Sequence, residues 1–452
     1  MTAKTLTGVL ADYVAGSSFE QLPADVVDKA KLIIFDEIAC AVLGRKLIAG
    51  DLIAKFVSSM GGVPEATVVG SSLRLPASLA ALANGTAGHA DEFDGAHITD
   101  GHPGAVIVHA TLAVGEARRV TGRDFIHAVS LGYDIGTRLV ASVGGAFPLR
   151  NTHHVHSDHL HGFGAAMACA RLLRLTPESI RYAAALAAGH AGGLAVVFEE
   201  RRHMSKALST GQAAFGGATA ALLAASGFEG HDDVFDSKHG PLGWAPEKAP
   251  VKLLNGLGSD FAVRGANFKF YSAGYPIHAP VEAALNIIAR EKLSLDDIAS
   301  VTVGLTTHTR DTVSNRDMPS ICVEDMLAVA MVHGRLGVAE AHSTAALARP
   351  EVKALRPKIH TVADQELERT QPHGRGANVR ITTASGKHFE ERIDHPRGHA
   401  SRGGVDWPSL REKWQDLLPE FIGKANSEAF YNLCQSLDSV EDLAEFTQLL
   451  KT

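Results

Sequence analysis

Several titratable side chains are concentrated in the short connector at residues 91–101, between two apolar segments. The connector carries Asp91, Glu92, Asp94 and His97, and His102-Pro103-Gly104 follows it. Proline suits the first turn of a helix because its missing N–H costs no hydrogen bond there, and the free N–H groups at such a start attract anions. A site for an anionic substrate and a solvated turn between helices both fit this stretch.

The histidine-rich run THHVHSDHLHGFG occupies residues 152–164. His154 and His156 form an H-x-H pair that could bind zinc with His159 as a third ligand. The run contains no H-E-x-x-H motif, and its neighbouring carboxylate is Asp158. Three interpretations remain open: a zinc site, one or two imidazoles that act on or bind a substrate, and an ordinary surface loop.

A lysine near a predicted helix start is the third candidate, in EERRHMSKALSTGQAA at residues 199–214. Ser205 precedes the helical run, so Lys206 falls near its first turn. The positive end of the helix dipole disfavours the charged form of a lysine there, which suits proton transfer. Arg201 and Arg202 are candidate clamps for substrate carboxylates. A solvated lysine and exposed arginines are the simpler alternative.

Aromatic and turn-forming residues cluster in FKFYSAGYPIH at residues 268–278. This segment lies where the helical pattern of the first half of the chain gives way to strand signals. Small-molecule sites favour domain junctions, so Tyr271, Tyr275 and His278 are candidates for substrate contact. Packing between domains explains the same residues equally well.

The apolar spacing predicts which elements position these groups. Helical periodicity runs from Leu6 to about Ser226, as in VVDKAKLIIFDEIACAVL at 26–43 and in the segments 162–173 and 206–225, and a further helix is predicted at 278–291. Strand signals appear at 300–307, at 358–362, and in a hairpin of 378–383 with 388–393. We therefore expect a mainly α protein with a large all-helical domain, residues 1–265 completed by 405–452, and a smaller α+β lid domain, residues 266–404.

The overall composition limits the classes of function. The chain has 452 residues, 45% of them hydrophobic, and a formal net charge of -7, which argues against nucleic acid or an anionic membrane as a partner. No secretion signal or membrane-spanning apolar run is apparent. The four cysteines form no C-x-x-C pair and are typical of core residues in a reducing cytosol, so a cytoplasmic location is expected.

These segments, in this order, resemble the MmgE/PrpD family, which includes 2-methylcitrate dehydratase, cis-aconitate decarboxylase and iminodisuccinate epimerase. The resemblance covers nearly the whole chain. It is carried by H-A-D-E-F-D at 89–94, H-P-G-A at 102–105, the histidine run leading into GFGAA at 162–166, SKALSTGQAA at 205–214 and FKFYSAGYPIH at 268–278. It implies a helical domain, a smaller α+β domain, and a homodimer without a metal cofactor.

The chain departs from the family pattern at several positions. Against the family's H-A-x-D-F-D-D-T, Glu92 takes the first Asp position, Gly95 the last Asp position and Ala96 the Thr position. A tyrosine typical of the decarboxylases falls at Met326, and a second family histidine falls at Gly274, with His278 close by. These departures favour a relative with a different substrate over a cis-aconitate decarboxylase.

The resemblance also implies the chemistry, which is removal or delivery of a proton at the carbon alpha to a carboxylate of a small di- or tricarboxylic acid. Lys206 falls on the family's active-site lysine and His102 on the histidine of its H-P motif, and we expect them to form the acid/base pair. His154 or His156 would assist, and Glu92 would orient an imidazole or meet a substrate group. The expected substrate-binding residues are Arg201, Arg202, Tyr275, His278 and His97.

The reaction itself remains open at this point. A dehydratase similar to 2-methylcitrate dehydratase is favoured, and an epimerase similar to iminodisuccinate epimerase is the alternative. A zinc-dependent hydrolase using residues 153–161 and a non-catalytic helical scaffold are further hypotheses.

Overall fold

The computed structural model describes residues 4–99, 101–246, 252–371 and 374–451. Helices dominate these residues, and the sheet of four strands is the largest that they form, which confirms the prediction of a mainly α protein. The chain divides into two compact units. Unit 1 comprises residues 1–90, 94–266 and 406–452, and unit 2 comprises residues 91–93 and 267–405. The sequence did not indicate that residues 91–93 belong with the second unit.

Unit 1 is built almost entirely from helices with buried apolar faces. Its N-terminal helices are α1 (Leu6–Gly16), α2 (Ala24–Gly44), α3 (Ile48–Met60), α4 (Ala77–Gly88), α5 (Pro103–Ala117), α6 (Gly122–Ser142), α7 (Ala146–Thr152), α8 (Asp158–Leu172), α9 (Pro177–Ala187) and α10 (Ser205–Ala225). The two-residue strands β1 (Ala66–Thr67) and β2 (Arg74–Leu75) pair antiparallel. Two further short strands are β3 (Ala96–His97) and β4 (Ala266–Asn267).

Helix α8 begins four residues earlier than the sequence predicted, at Asp158 rather than Gly162. A carboxylate in the first turn of a helix is stabilised by the helix dipole, which favours this start. His159 and His161 consequently lie on the helix and are buried. The interpretation of residues 153–161 as an ordinary surface loop is therefore wrong for this half of the run.

Small residues bring the central helices close together. A Cβ added to Gly164 of α8 would overlap the backbone carbonyl of Gly132 on α6, and one added to Gly211 of α10 would overlap Thr86 on α4. Larger side chains at these positions would force the helices apart, because the interior is close-packed. The side chains that project between these helices are therefore held within narrow limits.

The C-terminal helices belong to unit 1 and are tied to α2 by a buried ion pair. They are α18 (Trp407–Trp414), α19 (Leu418–Ile422), α20 (Lys424–Gln435) and α21 (Leu443–Gln448). Lys413 Nζ and Trp414 Nε1 each donate a hydrogen bond of 2.7 Å to Oδ1 of Asp36. Both side chains of the Lys413–Asp36 pair are 1% exposed. The carboxylate of Asp36 is thus neutralised by the C-terminal segment.

Unit 2 contains the four-stranded sheet and the remaining helices. Its strands are β5 (Ile298–Leu305), β6 (Ile359–Ala363), β7 (Ala377–Thr383) and β8 (His388–Ile393), in the order β6-β5-β7-β8. Strands β5 and β6 are parallel, and β7 pairs antiparallel with β5 and with β8, which confirms the predicted hairpin. The helices are α11 (His278–Glu291), α12 (Thr307–Val313), α13 (Val323–His333), α14 (Val338–Ala341), α15 (Thr344–Ala348), α16 (Pro350–Leu355) and α17 (Gln365–Thr370).

Alternation along β7 explains how the sheet of unit 2 is covered. Ala377, Val379 and Ile381 are buried, while the residues between them are more exposed. They share one hydrophobic core with residues of α11 and α13. In the described ranges, no helix combines the length and apolar character needed to cross a membrane.

A buried ion pair that loses one partner leaves an uncompensated charge, so Lys413→Met should lower the free energy of unfolding by about 3–5 kcal/mol at pH 7. Lys55→Met is the matched control, because it breaks the exposed pair between Lys55 and Asp51 and should change stability by less than about 1 kcal/mol. Urea denaturation measures both. Equal losses in the two variants would show that the Asp36 contact does not stabilise the C-terminal helices.

Glu37 on α2 is a second buried carboxyl group, 2% exposed. Its Oε1 accepts the backbone N–H of Gly95 at 3.1 Å. Burial, together with the negative charges of Asp94 and Asp36, raises the pKa of Glu37 well above its usual value. The folded protein therefore retains a proton here that the unfolded chain has lost, so this group makes stability fall as pH rises above the unfolded-state pKa of about 4.3.

Glu37→Gln should remove this dependence, because glutamine resembles the protonated carboxyl group and does not ionise. The stability of the variant relative to the unsubstituted protein should increase between pH 5 and pH 8, by about 1.4 kcal/mol for each unit of the pKa shift. Urea denaturation across this pH range tests it, with Glu441→Gln at an exposed position as the control. Parallel pH profiles for all three proteins would contradict a raised pKa for Glu37.

Candidate active site

Lys206 is buried in the first turn of α10, with 7% of its surface exposed. The start of this helix is capped by Glu200, whose Oε1 accepts the N–H of Lys206 at 2.8 Å and whose Oε2 accepts the N–H of Ser205 at 2.7 Å. A carboxylate that accepts the free N–H groups of a first turn fixes the helix start and suits its dipole. The interpretation of Lys206 as a solvated surface lysine is excluded.

His89 connects Lys206 to the polar connector. It directly follows α4 and is fully buried. Its Nε2 lies 2.8 Å from Nζ of Lys206, and its Nδ1 lies 2.9 Å from both carboxylate oxygens of Asp94. His203 Nε2 donates a hydrogen bond of 2.7 Å to the backbone oxygen of His89. The imidazole is therefore held between a lysine and a carboxylate.

His102 approaches the same carboxylate from the start of α5. Its Nδ1 lies 3.0 Å from Oδ2 of Asp94 and 3.0 Å from the backbone oxygen of Gly95. The rings of His102 and His89 are 4.2 Å apart between centroids. A continuous chain of polar contacts thus runs from buried Lys206 through buried His89 and Asp94 to the partly exposed His102, and the connector around Asp94 is not a solvated turn.

Asp158 joins His102 to a second group of imidazoles. Its Oδ1 accepts the backbone N–H of His102 at 2.9 Å, and its Oδ2 lies 3.3 Å from Nε2 of His156. Burial raises the pKa of Asp158, but its interactions with the imidazoles of His156, His102 and His161 outweigh burial and hold the pKa well below its usual value. Asp158 is therefore ionised. His156 Nδ1 and His159 Nε2 lie 3.0 and 2.8 Å from Ser209 Oγ, one turn along α10 from Lys206.

The described part of the histidine-rich run does not provide the ligand set that a zinc site requires. Among the described side chains, those of residues 153–161 do not provide three ligand atoms close enough to share an ion, whereas His89, Asp94 and His102 place theirs within 4.8 Å of one another. Hydrogen bonds account for that closeness. The amino group of Lys206 beside His89 would also repel a cation, so these residues fit a proton-transfer chain better than a metal site.

The other candidates in unit 1 differ from one another in exposure and contacts. His154 is exposed and has a φ of 57°. Arg201 and Arg202 are also exposed. His97 is buried, with Nδ1 at 2.8 Å from Thr99 Oγ1 and Nε2 donating to the backbone oxygen of Ala262 at 2.9 Å. Substrate binding by His97 and the two arginines stays a prediction.

Three candidates belong to unit 2. Glu92 is 2% exposed, and its Oε2 accepts a hydrogen bond of 3.0 Å from Nζ of Lys269, which is fully buried. Tyr275 and His278 are buried with ring centroids 5.3 Å apart, and Nε2 of His278 donates to the backbone oxygen of Ala273 at 3.2 Å. Glu92 is therefore paired with a lysine within its unit.

Sequence reasoning did not select His89, Asp94, Asp158, Ser209 or Lys269 as site residues. His89 and Asp94 are the first and last residues of the motif H-A-D-E-F-D. This motif was therefore the feature of the sequence that could have identified both residues. The others have no local pattern, because their partners lie far away in the chain: Ser209 is 53 residues from His156, and Lys269 is 177 residues from Glu92.

Comparison with known proteins gives matches over most of the chain. Residues 8–253 match the MmgE/PrpD N-terminal domain, and residues 271–439 match the MmgE/PrpD C-terminal domain. Similar proteins include a cis-aconitate decarboxylase-like protein, oryM, of Aspergillus oryzae, which is 26% identical over 98% of this chain and 97% of its own.

Two further relatives are named cis-aconitate decarboxylase. The protein of Aspergillus terreus is 25% identical over 98% of this chain and 96% of its own, and that of Homo sapiens is 25% identical over 100% and 95%. Because both domains match over their expected parts of the sequence, the chain that carries Lys206, His89, Asp94 and His102 belongs to the MmgE/PrpD family.

Proposed function

We propose that this protein is a metal-independent lyase that removes and delivers a proton at the carbon alpha to a carboxylate of a small di- or tricarboxylic acid, acting as a dehydratase. The observation that carries the proposal is the chain of polar contacts Lys206–His89–Asp94–His102, of which only His102 is partly exposed. It joins two groups suited to acid/base chemistry through a shared carboxylate.

Hydrogen-bond direction assigns a role to His102. The backbone oxygen of Gly95 can only accept a hydrogen bond, so Nδ1 of His102 carries a proton. In the neutral ring the lone pair is then on Nε2, which is the atom able to take a proton from the substrate. Asp94, adjacent to Nδ1, stabilises the imidazolium that forms, as a carboxylate does for the histidine base of a hydrolase triad.

The same reasoning assigns the complementary role to Lys206. Nδ1 of His89 faces both oxygens of Asp94 and donates to them, so the neutral ring accepts at Nε2 from the ammonium of Lys206. A lysine in this state is an acid and a positive charge for the enediolate that develops when the alpha proton leaves. His102 is the base and Lys206 the acid.

Dehydration uses both groups without a metal. His102 Nε2 takes the alpha proton, the bond from the beta carbon to the hydroxyl group breaks, and Lys206 gives a proton to the departing hydroxide, which leaves as water. The alternative is epimerisation, in which Lys206 returns a proton to the opposite face of the carbon.

Decarboxylation of cis-aconitate is the activity in the names of the relatives. The position of the tyrosine that is typical of the decarboxylases is occupied here by Met326. This side chain is fully buried in the core of unit 2. A thioether offers no hydroxyl proton. This departure, together with Ala96 in place of a threonine, favours a substrate other than cis-aconitate.

Deuterium incorporation is the direct test of this function. The protein is incubated in D₂O with 2-methylcitrate, cis-aconitate and iminodisuccinate, and the products are followed by NMR. Alkene formation from the hydroxy acid indicates a dehydratase, incorporation with inversion an epimerase, and loss of CO₂ a decarboxylase. Lys206→Ala and His102→Ala should each lower the rate by about 10²-fold or more, the usual contribution of a general acid or base.

Matched controls distinguish the loss of a catalytic group from the loss of stability that follows removal of any buried side chain. Lys31→Met alters a buried lysine that pairs with Asp438, and His127→Gln alters a buried histidine of α6; both should keep the unsubstituted rate. Undiminished exchange by Lys206→Ala and His102→Ala would remove both residues from the mechanism. An absence of exchange with every acid would contradict the proposed substrate class.

A further inference from the structure

Helix α3 carries a row of exposed apolar side chains on its outer side. Ile48, Leu52, Phe56 and Met60 are 67%, 48%, 55% and 57% exposed. They are spaced four residues apart, so they form one continuous ridge along the helix, the α3 ridge. Single exposed apolar residues are common on protein surfaces, but a contiguous row of this kind marks a surface that another molecule covers.

The inner side of α3 already provides the contacts that hold this helix in the fold. Ile53, Ala54 and Val57 are buried in one core cluster with Leu82 and Ala83 of α4. A helix that packs against a domain on one side needs apolar residues on that side only. The packing of unit 1 therefore does not account for the α3 ridge on the opposite side.

Partly exposed apolar side chains of two neighbouring helices add to this surface. Leu79 of α4, with Leu208 and Phe215 of α10, packs against the same core cluster as Ile53 of α3. Leu208 and Phe215 are more exposed than Lys206 and lie on the outer side of α10. The α3 ridge and these three side chains together form the α3 face.

We infer that the α3 face is the surface through which two copies of this chain associate. The family resemblance implied a homodimer without indicating a surface for it. The four side chains of the α3 ridge expose roughly 450 Å², taking about 200 Å² for each fully exposed side chain. An interface of about 800 Å² per partner is a little over half non-polar, which requires a similar apolar area. The ridge thus supplies the apolar part of a stable dimer interface.

Charge and symmetry favour a second copy as the molecule that covers this face. The charged side chains of α3 are Asp51 and Lys55, and Lys55 Nζ lies 2.6 Å from Asp51 Oδ2. The helix therefore adds no net charge to the face, although the whole chain carries a formal net charge of -7. Two copies can meet here without the like-charge repulsion of an acidic surface. A twofold axis places the same ridge on both sides, and a regularly spaced ridge can pack against its own copy.

Sedimentation-velocity ultracentrifugation of the full-length protein at micromolar concentration tests the inference. The unsubstituted protein should sediment as a dimer. Phe56→Asp places a carboxylate in the α3 ridge of both copies, where the two charges face each other in an apolar interface. It should therefore raise the dissociation constant by about 10²-fold or more. Circular dichroism should show an unchanged fold, because the Phe56 side chain is exposed in each protomer.

Val362→Asp is the matched control, because it places an acid at an exposed apolar position of β6 in unit 2 and should keep the dimer. Leu52→Cys gives a second measurement. A bis-maleimide should link two copies through residue 52, because the four native cysteines are buried.

A monomeric unsubstituted protein, alone or with another polypeptide bound through purification, would overturn the inference. So would a dimer that Phe56→Asp leaves as stable as before, or one that does not link through residue 52. These measurements use no substrate, so a dimer that behaves as expected but exchanges no acid would contradict the proposed function alone.

Discussion

A carboxylate removed from water must be neutralised or hydrogen-bonded, and the centre of unit 1 depends on this requirement at Asp94. Its side chain is fully buried and lies between the imidazoles of His89 and His102. An isolated carboxylate in such a place would cost several kcal/mol. The end of α4, the start of α5 and the connector between them must therefore meet at one point, and Lys206 of α10 completes the arrangement through His89.

The same requirement explains why the buried carboxyl groups differ in their protonation. Asp36 has a lysine partner, Asp158 has the imidazoles, and Glu37 has only a backbone N–H and stays protonated. Four acidic groups can be buried in one helical core because a different set of contacts stabilises each of them. Groups whose environments drive their protonation states apart are typical of sites that move protons.

The sequence predicted the elements better than it predicted the contacts between them. Apolar periodicity located α2, α10 and α11, and strand alternation located the β7–β8 hairpin, because both patterns are local. The site depends instead on pairs such as His89 and Lys206, which are 117 residues apart. No spacing rule connects such residues, so only the family resemblance placed Lys206 and His102 together. The start of α8 was misplaced because the polar residues at 158–161 look like a loop until their buried partners are known.

His102 and His156 are both histidines of the predicted site, and they differ in what each ring contacts. His102 has one committed donor, shared between Gly95 and Asp94, and this leaves its other nitrogen able to accept a proton. His156 has its Nδ1 at 3.0 Å from the hydroxyl of Ser209 and its Nε2 at 3.3 Å from the carboxylate of Asp158. Asp158 contacts both residues, through the backbone N–H of one and the ring of the other. A single buried carboxylate thus fixes both the start of α5 and the position of the second group of imidazoles relative to it.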